Sequence, residues 1–552
     1  MVKTKPKSNK PKSKKGKSRS EPQPEGEVLS LKEQLKLKRK AERQRKELVQ
    51  FTVSAIGFAL FLGALVGIVA EPKLAVGAVL AVLCLTLSFK YPRQALWGFL
   101  IYLPLSGTVI YALGNSPVLQ LAKDGFYIPA LIGVVQYCRR AKLPILIPKQ
   151  ITLPLAILLS CCALTLLVVN GGQQFIQKVP GIPIAMGILG IKVLIGYAPL
   201  IVCAYYLLRN RQDFLFLMRL STLLIILCCG LGLVQYLMLL TGICQGTDDA
   251  VGADLFKATI DARCFVGGSL LYSPSQGVIR LPGTFVAPWQ WGWFLISSSF
   301  IGFPTAFNDP KPFWRLVGLV GLGAVFVMAV VSGQRIALAL VPIAVGILLV
   351  FTGQVTNLKR FLPIGVALGM LLSFAALKNP ETVQERLDSF ISRWNAAPPY
   401  AFIQQQMEWA IAQGGWIGRG LGRATNSARV LGETQLVETY YPKLIYEIGI
   451  LGALAFFILV TTLTYVTFKA YHQGRDRTLR AYGAALWVFI LFISYNTYYY
   501  PLDVDPVAVY YWFFAGAILK LPEIDRAERK AAAELSKPTD QRKKSKKKAG
   551  FG

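Results

Sequence analysis

The sequence has little charge and almost no histidine. Charged side chains account for 16% of its 552 residues, whereas a soluble protein carries about a quarter. The mean hydropathy is +0.47, so a soluble globular fold is excluded. A single histidine, His472, is too few for a zinc site. The phosphate-binding motif GxxxxGK[ST] is absent as well, which excludes a P-loop ATPase.

Acidic residues are also scarce, and the formal charge is +31. Residues 1–50 hold 17 basic against 6 acidic residues, and residues 523–552 hold 10 against 5, so the two ends supply 16 of the excess charges. Their basic runs lack interleaved aromatic residues and flank hydrophobic segments, which argues against nucleic-acid binding. We expect two cytoplasmic tails, either solvated and disordered or, at residues 542–548, resting against anionic lipid.

Apolar segments of membrane-spanning length make up most of the remaining chain. A bilayer core about 30 Å thick is crossed by roughly 20 apolar residues in a helix. The sequence therefore predicts an all-α polytopic membrane protein with about 14 transmembrane helices, and 12 or 13 are the alternatives. The polar, proline-broken segment 172–185 is expected at the membrane interface. The predicted spans are residues 50–70, 74–89, 95–113, 117–137, 151–170, 186–207, 214–240, 286–306, 316–332, 336–352, 362–377, 443–468, 481–498 and 507–521.

Basic residues in the connections predict the orientation, because positive residues stay in the cytoplasm. With the N-terminus inside, six inner connections hold 16 basic residues, and five short outer ones hold 3, Lys73, Lys178 and Arg335. An even number of spans returns the C-terminus to the cytoplasm. The predicted parts are a basic tail (1–48), helices 1–7 (49–240), a first long outer loop (241–285), helices 8–11 (286–377), a second long outer loop (378–442), helices 12–14 (443–521) and a basic tail (522–552).

The nine cysteines fall into two groups. Seven lie in or at the edge of predicted spans, where they are interpreted as small apolar packing residues. Cys244 and Cys264 both lie in the first long outer loop, in a compartment where a disulfide can persist. The sequence leaves open whether these two cysteines pair.

Several ionisable residues stand in or beside the predicted spans, where they are costly and usually mark a pathway or a site. Arg280 and Arg335 lie at outer span boundaries, Lys192 lies inside the sixth span, and further arginines occupy the second long loop. Converging guanidinium groups suit a phosphate or diphosphate; for a single loop arginine, a structural ion pair is the alternative. Asp503-Val504-Asp505 resembles a metal-binding DxD, but an Asp-Pro turn is the favoured interpretation.

Four segments follow one another in an order that resembles a known family. They are RLPGTFVAPWQWGWFL (280–295), SGQRIALAL (332–340), MEWAIAQGGWIGRGLGRAT (407–425) and VETYYPKLIYEIGILGALAF (437–456). The first resembles the R-x-x-G-T-F-x-N-P stretch of the O-antigen polymerase and O-antigen ligase superfamily. The others are similar to its serine–arginine turn, the tryptophan and glycine-rich segment of its large outer loop, and the segment leading out of that loop. The resemblance covers about residues 50–520.

The chain departs from this family's pattern at several positions. Ligases of the family place a histidine where this chain has Glu438, and the acidic residue favours the polymerase side. The Asn-Pro of the first motif is Ala287-Pro288 here. An arginine often precedes the loop tryptophan by four residues, where this chain has Gln405; Arg393 is a candidate spatial substitute.

The resemblance implies a glycosyltransferase of a bacterial inner membrane that polymerises or transfers polyprenyl-diphosphate-linked glycan on the outer leaflet, for surface polysaccharide or exopolysaccharide. Glu438 would be the catalytic base, and Arg280 and Arg335 would hold the diphosphate. No metal and no cofactor are expected, because fixed cations can take over the metal's role. The expected partners are the lipid-linked oligosaccharide, a chain-length regulator and a flippase. The substrate-binding candidates are Lys192, Arg393, Arg423, Tyr441 and Glu447.

A transporter of anions such as bicarbonate, or of small solutes, is the alternative function. The many predicted spans and the membrane lysines Lys123 and Lys192 favour it, since both could line an anion path. The two long outer loops are unnecessary for conduction, and no internal repeat is visible. A scaffold without catalysis is a third interpretation.

Overall fold

The computed structural model describes residues 31–69, 72–114, 119, 122–145, 147–247, 262–264, 266–273, 278–355 and 398–535, with isolated positions between 359 and 395. Over these residues the chain is almost wholly helical, and its only strands form two short hairpins. The predicted fold class, an all-α polytopic membrane protein, is confirmed, while the number of spans and their orientation stay predictions. The predicted tails lie largely outside the described residues, as do most of the span at 362–377 and Arg393.

The first ten helices precede the first long loop. A π-helical turn at Thr165–Asn170 joins α6 to α7, and a 3-10 turn at Leu103–Leu105 joins α3 to α4. The helices are α1 (Leu31–Val69), α2 (Pro72–Lys90), α3 (Pro92–Tyr102), α4 (Ser106–Ala112), α5 (Ala122–Arg140), α6 (Thr152–Leu164), α7 (Gly171–Phe175), α8 (Pro183–Ile195), α9 (Leu200–Leu207) and α10 (Arg211–Leu240).

The second half of the chain adds two hairpins and seven described helices. In the first long loop, β1 (Arg263–Cys264) pairs with β2 (Gly267–Ser269), and β3 (Leu271–Ser273) pairs with β4 (Val278–Arg280), both antiparallel. The helices are α11 (Pro288–Asn308), α12 (Pro312–Val331), α13 (Arg335–Phe351), α14 (Pro399–Gly414), α15 (Tyr440–Gln473), α16 (Arg477–Tyr495) and α17 (Val507–Leu535).

Within the described ranges, nine helical segments are long and apolar enough to cross a membrane. Thirteen of the fourteen predicted spans overlap helices, and the fourteenth is residues 362–377. The total of fourteen stays a prediction. The nine segments are Lys46–Ile68, Pro92–Ala112, Lys149–Phe175, Pro183–Leu207, Arg211–Leu240, Pro312–Val331, Tyr440–Gln473, Arg477–Tyr495 and Val507–Glu534.

Helix α11 lies at the centre of the bundle and packs against α10, α12, α13 and α16. Most of its large side chains, Trp291 and Trp293 among them, are almost fully buried, whereas Trp289 near its start is exposed. The three serines at 297–299 are buried too, and each hydroxyl donates to the carbonyl four residues earlier. These bonds satisfy the hydroxyls inside the helix, so polar residues are tolerated in a fully buried element.

Ion pairs join segments that the sequence assigns to the same side of the membrane. The predicted outer segments are linked by Lys192–Asp124 (2.5 Å), Lys123–Asp505 and Lys443–Asp503. The predicted inner segments are linked by Arg93–Asp213 (2.7 Å), Arg211–Asp476 (3.1 Å), Arg211–Glu528 (3.3 Å) and Arg219–Asp309 (2.8 Å). Spans that cross the membrane in alternating directions place these paired segments on the same side. Which of the two sides is cytoplasmic stays a prediction.

The two cysteines of the first long loop form a disulfide, which resolves the question that the sequence leaves open. Cys244 follows α10, and Cys264 lies in β1; their Cα atoms are 5.5 Å apart. Both are buried. The bond ties the β1–β2 hairpin to the end of α10 and keeps the first long loop close to the bundle. The other seven cysteines are free, and five of them are buried, as expected for packing residues.

Candidate functional site

Arg280 ends β4, and the turn after it is held by two neighbouring helices. The buried Gln235 side chain of α10 accepts a hydrogen bond from the Gly283 N–H at 3.0 Å. Gly283 has φ +56°, and a Cβ there would lie 2.4 Å from the Trp291 ring, so this position requires glycine. Thr284 Oγ1 donates to the Pro104 carbonyl at 2.5 Å. The chain bends at Pro282–Gly283, and this bend fixes Arg280 against the bundle.

Arg335 lies in the turn that contacts the stem of Arg280. The Leu281 N–H donates to the Ser332 carbonyl at 3.0 Å, which joins the end of β4 to the turn between α12 and α13. Gly333 packs below Arg280, since a Cβ on it would lie 3.5 Å from Arg280 Cγ. Arg335 is the first residue of α13. Both arginines are half-buried. The fold therefore brings together two cations that are separated in sequence by two transmembrane segments.

Glu438 reaches the same place through a backbone bridge. Thr439 pairs antiparallel with Tyr498, and the Tyr499 N–H donates to the Glu438 carbonyl at 3.0 Å. The Glu438 side chain is half-buried. Among the described residues, no hydrogen bond or ion pair engages its carboxylate, so the group is available to a ligand.

The electrostatics of Arg280 show which groups surround it. Burial is the main cause that lowers its pKa below the ordinary arginine value; Arg335 lowers this pKa further, and Tyr499, Glu438 and Tyr500 oppose the shift. Within the described region, the buried Nε of Arg280 has no hydrogen-bond partner. A buried cation with a free N–H beside a second cation is suited to an anionic ligand. We call these five residues the arginine centre.

The two tyrosines of the arginine centre have strained backbones. Tyr499 has φ +56° and Tyr500 has φ +33°, a region that bulky residues rarely adopt. Such conformations cost about 1–3 kcal/mol each and persist at functional sites, where the surrounding structure holds them. Here the Trp293 indole N–H donates to the Tyr499 carbonyl at 3.2 Å. In this conformation, both tyrosines lie close enough to Arg280 to influence its pKa.

A cavity of about 420 Å³ lies between the second long loop and the segment at Pro180–Gly181, and no residue of the arginine centre lines it. Burial raises the pKa of Tyr500 to about 12, and Glu438 adds to the shift, whereas a hydrogen bond with Asn426 and the charge of Arg429 oppose it. Asn426 and Arg429 also line the cavity, together with Pro180, Gly181, Gly432, Glu433, Thr434 and Leu436. Asn426 and Arg429 therefore connect the cavity to Tyr500 of the arginine centre.

Glu447 holds the glycine-rich segment 414–425 against α15 by hydrogen bonds. Its Oε1 accepts from the Ala424 N–H at 2.7 Å and from Thr425 Oγ1 at 2.9 Å. Gly418 has φ +82°, and a Cβ there would lie 2.2 Å from the Glu447 carbonyl oxygen, so the segment packs directly on the helix backbone. Glu447 is buried. These contacts give Glu447 a structural role in the second long loop.

Replacing Glu447 distinguishes this structural role from contact with substrate. Glu447→Gln keeps one carbonyl acceptor, so we expect activity within about threefold of wild type, whereas Glu447→Ala leaves the buried Ala424 N–H unpaired at a cost of about 1–3 kcal/mol. The melting temperature of the purified protein checks the stability of both variants, and the assay of the function proposed below checks their activity. A glutamine variant that folds normally but has lost activity would show that the Glu447 carboxylate acts on substrate.

Arg423 is held by the protein itself. Its Nε and Nη2 donate to Gln173 Oε1 at 3.0 and 2.8 Å, and its Nη1 lies 3.3 Å from the Glu433 carbonyl. Burial lowers its pKa. The Asn170 side chain adds bonds to both the N–H (2.9 Å) and the carbonyl (3.0 Å) of Leu421. Arg423 therefore fastens the second long loop to α7 and lies outside the arginine centre.

Two further candidates also have partners within the protein. The Tyr441 hydroxyl donates to the Ser494 carbonyl at 2.5 Å, between α15 and α16. Lys192 of α8 forms an ion pair with Asp124 of α5. Lys123 pairs with Asp505. Asp503 and Asp505 lie in the connection between α16 and α17, as the turn interpretation of this DxD predicts.

The residues that sequence reasoning missed are Tyr499, Tyr500, Asn426 and Arg429. The run Tyr498–Tyr500 gave one signal, because three tyrosines in a short connection between spans are unusual. Nothing in the sequence indicates that this run returns to Arg280. His472 is exposed and stacks on Phe468.

No group of three or more histidine, cysteine, aspartate or glutamate side chains that could hold a metal ion occurs among the residues described. The candidate site is thus built from arginines, tyrosines and one carboxylate. No protein-family model and no curated protein matches the chain.

Proposed function

We propose that this protein is a membrane glycosyltransferase that joins polyprenyl-diphosphate-linked glycans on the outer leaflet of a bacterial inner membrane. The observation that carries the proposal is the convergence of Arg280, Arg335 and Glu438, three residues from distant parts of the chain. A cavity of about 420 Å³ is lined by Asn426 and Arg429, which interact with Tyr500. An unpartnered buried guanidinium N–H suits a diphosphate oxygen. A nearby free carboxylate suits the removal of a proton from an acceptor hydroxyl.

In the proposed reaction, a hydroxyl of the acceptor glycan attacks the anomeric carbon of the donor sugar. The carbon–oxygen bond to the diphosphate breaks, and the diphosphate leaves on its lipid with the bonding electron pair. Arg280 and Arg335 stabilise the charge that develops on this leaving group. Glu438 takes the proton of the attacking hydroxyl. Asn426 and Arg429, which line the cavity, would contact the glycan.

The predicted orientation of the chain in the membrane agrees with a site at the outer leaflet. A disulfide between Cys244 and Cys264 forms in an oxidising compartment, which supports an outer position for the first long loop. The arginine centre is built from that loop and from the other segments assigned to the same side. An N-terminus and a C-terminus in the cytoplasm complete this orientation.

We place the protein on the polymerase side of the superfamily it resembles. The base available at this position is Glu438, where ligases have a histidine. The product would be a surface polysaccharide or exopolysaccharide, and a flippase that delivers the lipid-linked donor and a chain-length regulator would be its partners. An anion path has weaker support, because Lys192 and Lys123 are both neutralised by ion pairs.

The direct test is glycan elongation by the purified, full-length protein in liposomes. We expect a lipid-linked oligosaccharide from the host to be extended into a ladder, with release of polyprenyl diphosphate and without added nucleotide sugar. Liposomes with heat-treated protein are the control. Flux of bicarbonate or another small anion, with no elongated product, would reverse the assignment in favour of transport.

A further inference from the structure

A second cavity, of about 620 Å³, lies at the opposite end of the bundle from the arginine centre. It is formed between α3, α5, α9 and α17, and it does not depend on the proposed reaction. This end carries the inner connections, whose ion pairs include Arg93–Asp213. The volume falls in the range of about 300–1,000 Å³ that is typical of small-ligand sites.

Positive charge dominates the lining of this cavity. Arg93, Arg209 and Lys520 face one acidic residue, Glu523. Glu523 is already engaged, because Lys520 Nζ lies 2.7 Å from one of its carboxylate oxygens and the Tyr205 hydroxyl donates to the other at 2.7 Å. The lining therefore has a net positive charge and no free carboxylate.

Two groups in the cavity lack a partner. The Arg209 backbone N–H bonds to Asp213, but across the described ranges no group pairs with its exposed guanidinium. The buried Nε of Arg93 likewise has no hydrogen-bond partner among the described residues, although the Nη2 of the same side chain pairs with Asp213 at 2.7 Å. Charge-assisted hydrogen bonds from such donors suit phosphate oxygens.

Apolar and aromatic side chains make up the rest of the lining. Leu96 and Val134 cover the deeper wall, and Tyr137, Tyr205 and Tyr206 form the rim. Tyr137 is 57% exposed at the end of α5, as expected for an aromatic residue at the membrane surface. The cavity thus combines an apolar wall, an aromatic rim and free cations at one level of the bundle, which is the arrangement that a phospholipid requires.

We propose that this cavity binds one anionic phospholipid of the inner leaflet. Arg209 and Arg93 hold its phosphate, and an acyl chain lies along Leu96 and Val134. Basic pockets between transmembrane helices on the cytoplasmic side recognise anionic headgroups in this way. The site is distinct from the basic tails, because its cations are positioned by the fold.

The test measures lipid retention by native mass spectrometry of the full-length protein. The protein is taken from nanodiscs of equimolar phosphatidylglycerol and phosphatidylcholine. We expect one phosphatidylglycerol to be retained in preference to phosphatidylcholine. Arg209→Gln should weaken this retention about fivefold, the effect of removing one basic residue at an anionic surface, and Arg209→Lys should restore most of it.

Arg140→Gln is the matched control. Arg140 is exposed at the end of α5 that also carries Tyr137 of the cavity rim, but Arg140 itself does not line the cavity. This substitution should leave retention unchanged, and all variants keep both basic tails. Equal losses in Arg209→Gln and Arg140→Gln, or no preference for phosphatidylglycerol, would overturn the proposal. Displacement of the lipid by excess inorganic phosphate would assign the site to a free anion instead. None of these outcomes depends on glycan transfer.

Discussion

Replacement of Arg280 by alanine should reduce glycan elongation about 10²–10³-fold, the effect of removing one donor that stabilises developing charge. Arg280→Lys keeps the charge but loses the forked geometry, so we expect an intermediate loss. Elongation of a lipid-linked oligosaccharide by purified protein measures both effects. The donor concentration that gives half-maximal rate should rise as well, because Arg280 is proposed to hold the donor's diphosphate before and during the reaction.

The same substitution should not lower the melting temperature. Arg280 is a half-buried cation with a second cation nearby and an unpaired Nε. Such a group is retained for function at the expense of stability. Arg263→Ala is the matched control, because Arg263 is exposed in the same loop, and it should leave activity unchanged. If Arg280→Ala lost activity and stability together, Arg280 would be a structural residue.

Glu438→Gln should lower the maximal rate about 10²–10⁴-fold, the usual contribution of a general base. The glutamine side chain has nearly the same shape but cannot accept the proton of the acceptor hydroxyl. The bridge to Tyr499 uses the Glu438 backbone, so the variant should fold and melt like wild type. The expected pattern is a lower maximal rate at an unchanged half-saturating donor concentration, in contrast to Arg280→Ala.

Glu408→Gln is the control for this variant. Glu408 is exposed on α14, bonds to Gln404 at 2.9 Å, and lies in the same long loop. The substitution removes the same charge, and activity should be retained. Normal chain length and yield from Glu438→Gln in a complemented deletion strain would place the base elsewhere. Glu438→Asp, which shortens the side chain by one methylene, should retain part of the activity if the carboxylate itself is needed.

The candidate site could be predicted in part. Arg280, Arg335 and Glu438 stand at predicted span boundaries and in resembling motifs, and the fold brings the three together. Glu447 and Arg423 stand in the same motifs, yet they hold the second long loop in place. Residue type and motif position are the same for both groups. Within the described residues, the Nε of Arg280 and the carboxylate of Glu438 have no hydrogen-bond partner, whereas the side chains of Glu447 and Arg423 are held by hydrogen bonds. Arg423 bonds to Gln173, 250 residues away in sequence.

The sequence by itself determined the class of fold and much of its layout. Membrane helices are readable because hydropathy and charge are sums over neighbouring residues, and the bilayer acts on each segment separately. Nearly all the predicted spans that the structure describes therefore fall on helices. The same reasoning placed Cys244 and Cys264 in one loop, but whether they bond depended on the distance between α10 and the β1–β2 hairpin.

Only the tertiary structure decided which polar groups are free to act. Lys192 and Lys123 were candidates for an anion path, and each is paired with an aspartate from another segment, as is Lys443. Among the residues that the structure describes, no aspartate pairs with Arg280 and no cation forms an ion pair with Glu438, and Tyr499 and Tyr500 lie beside them in a strained turn. The physical reason is that burial and pairing depend on distances between segments, which packing sets and which no local property of the chain records.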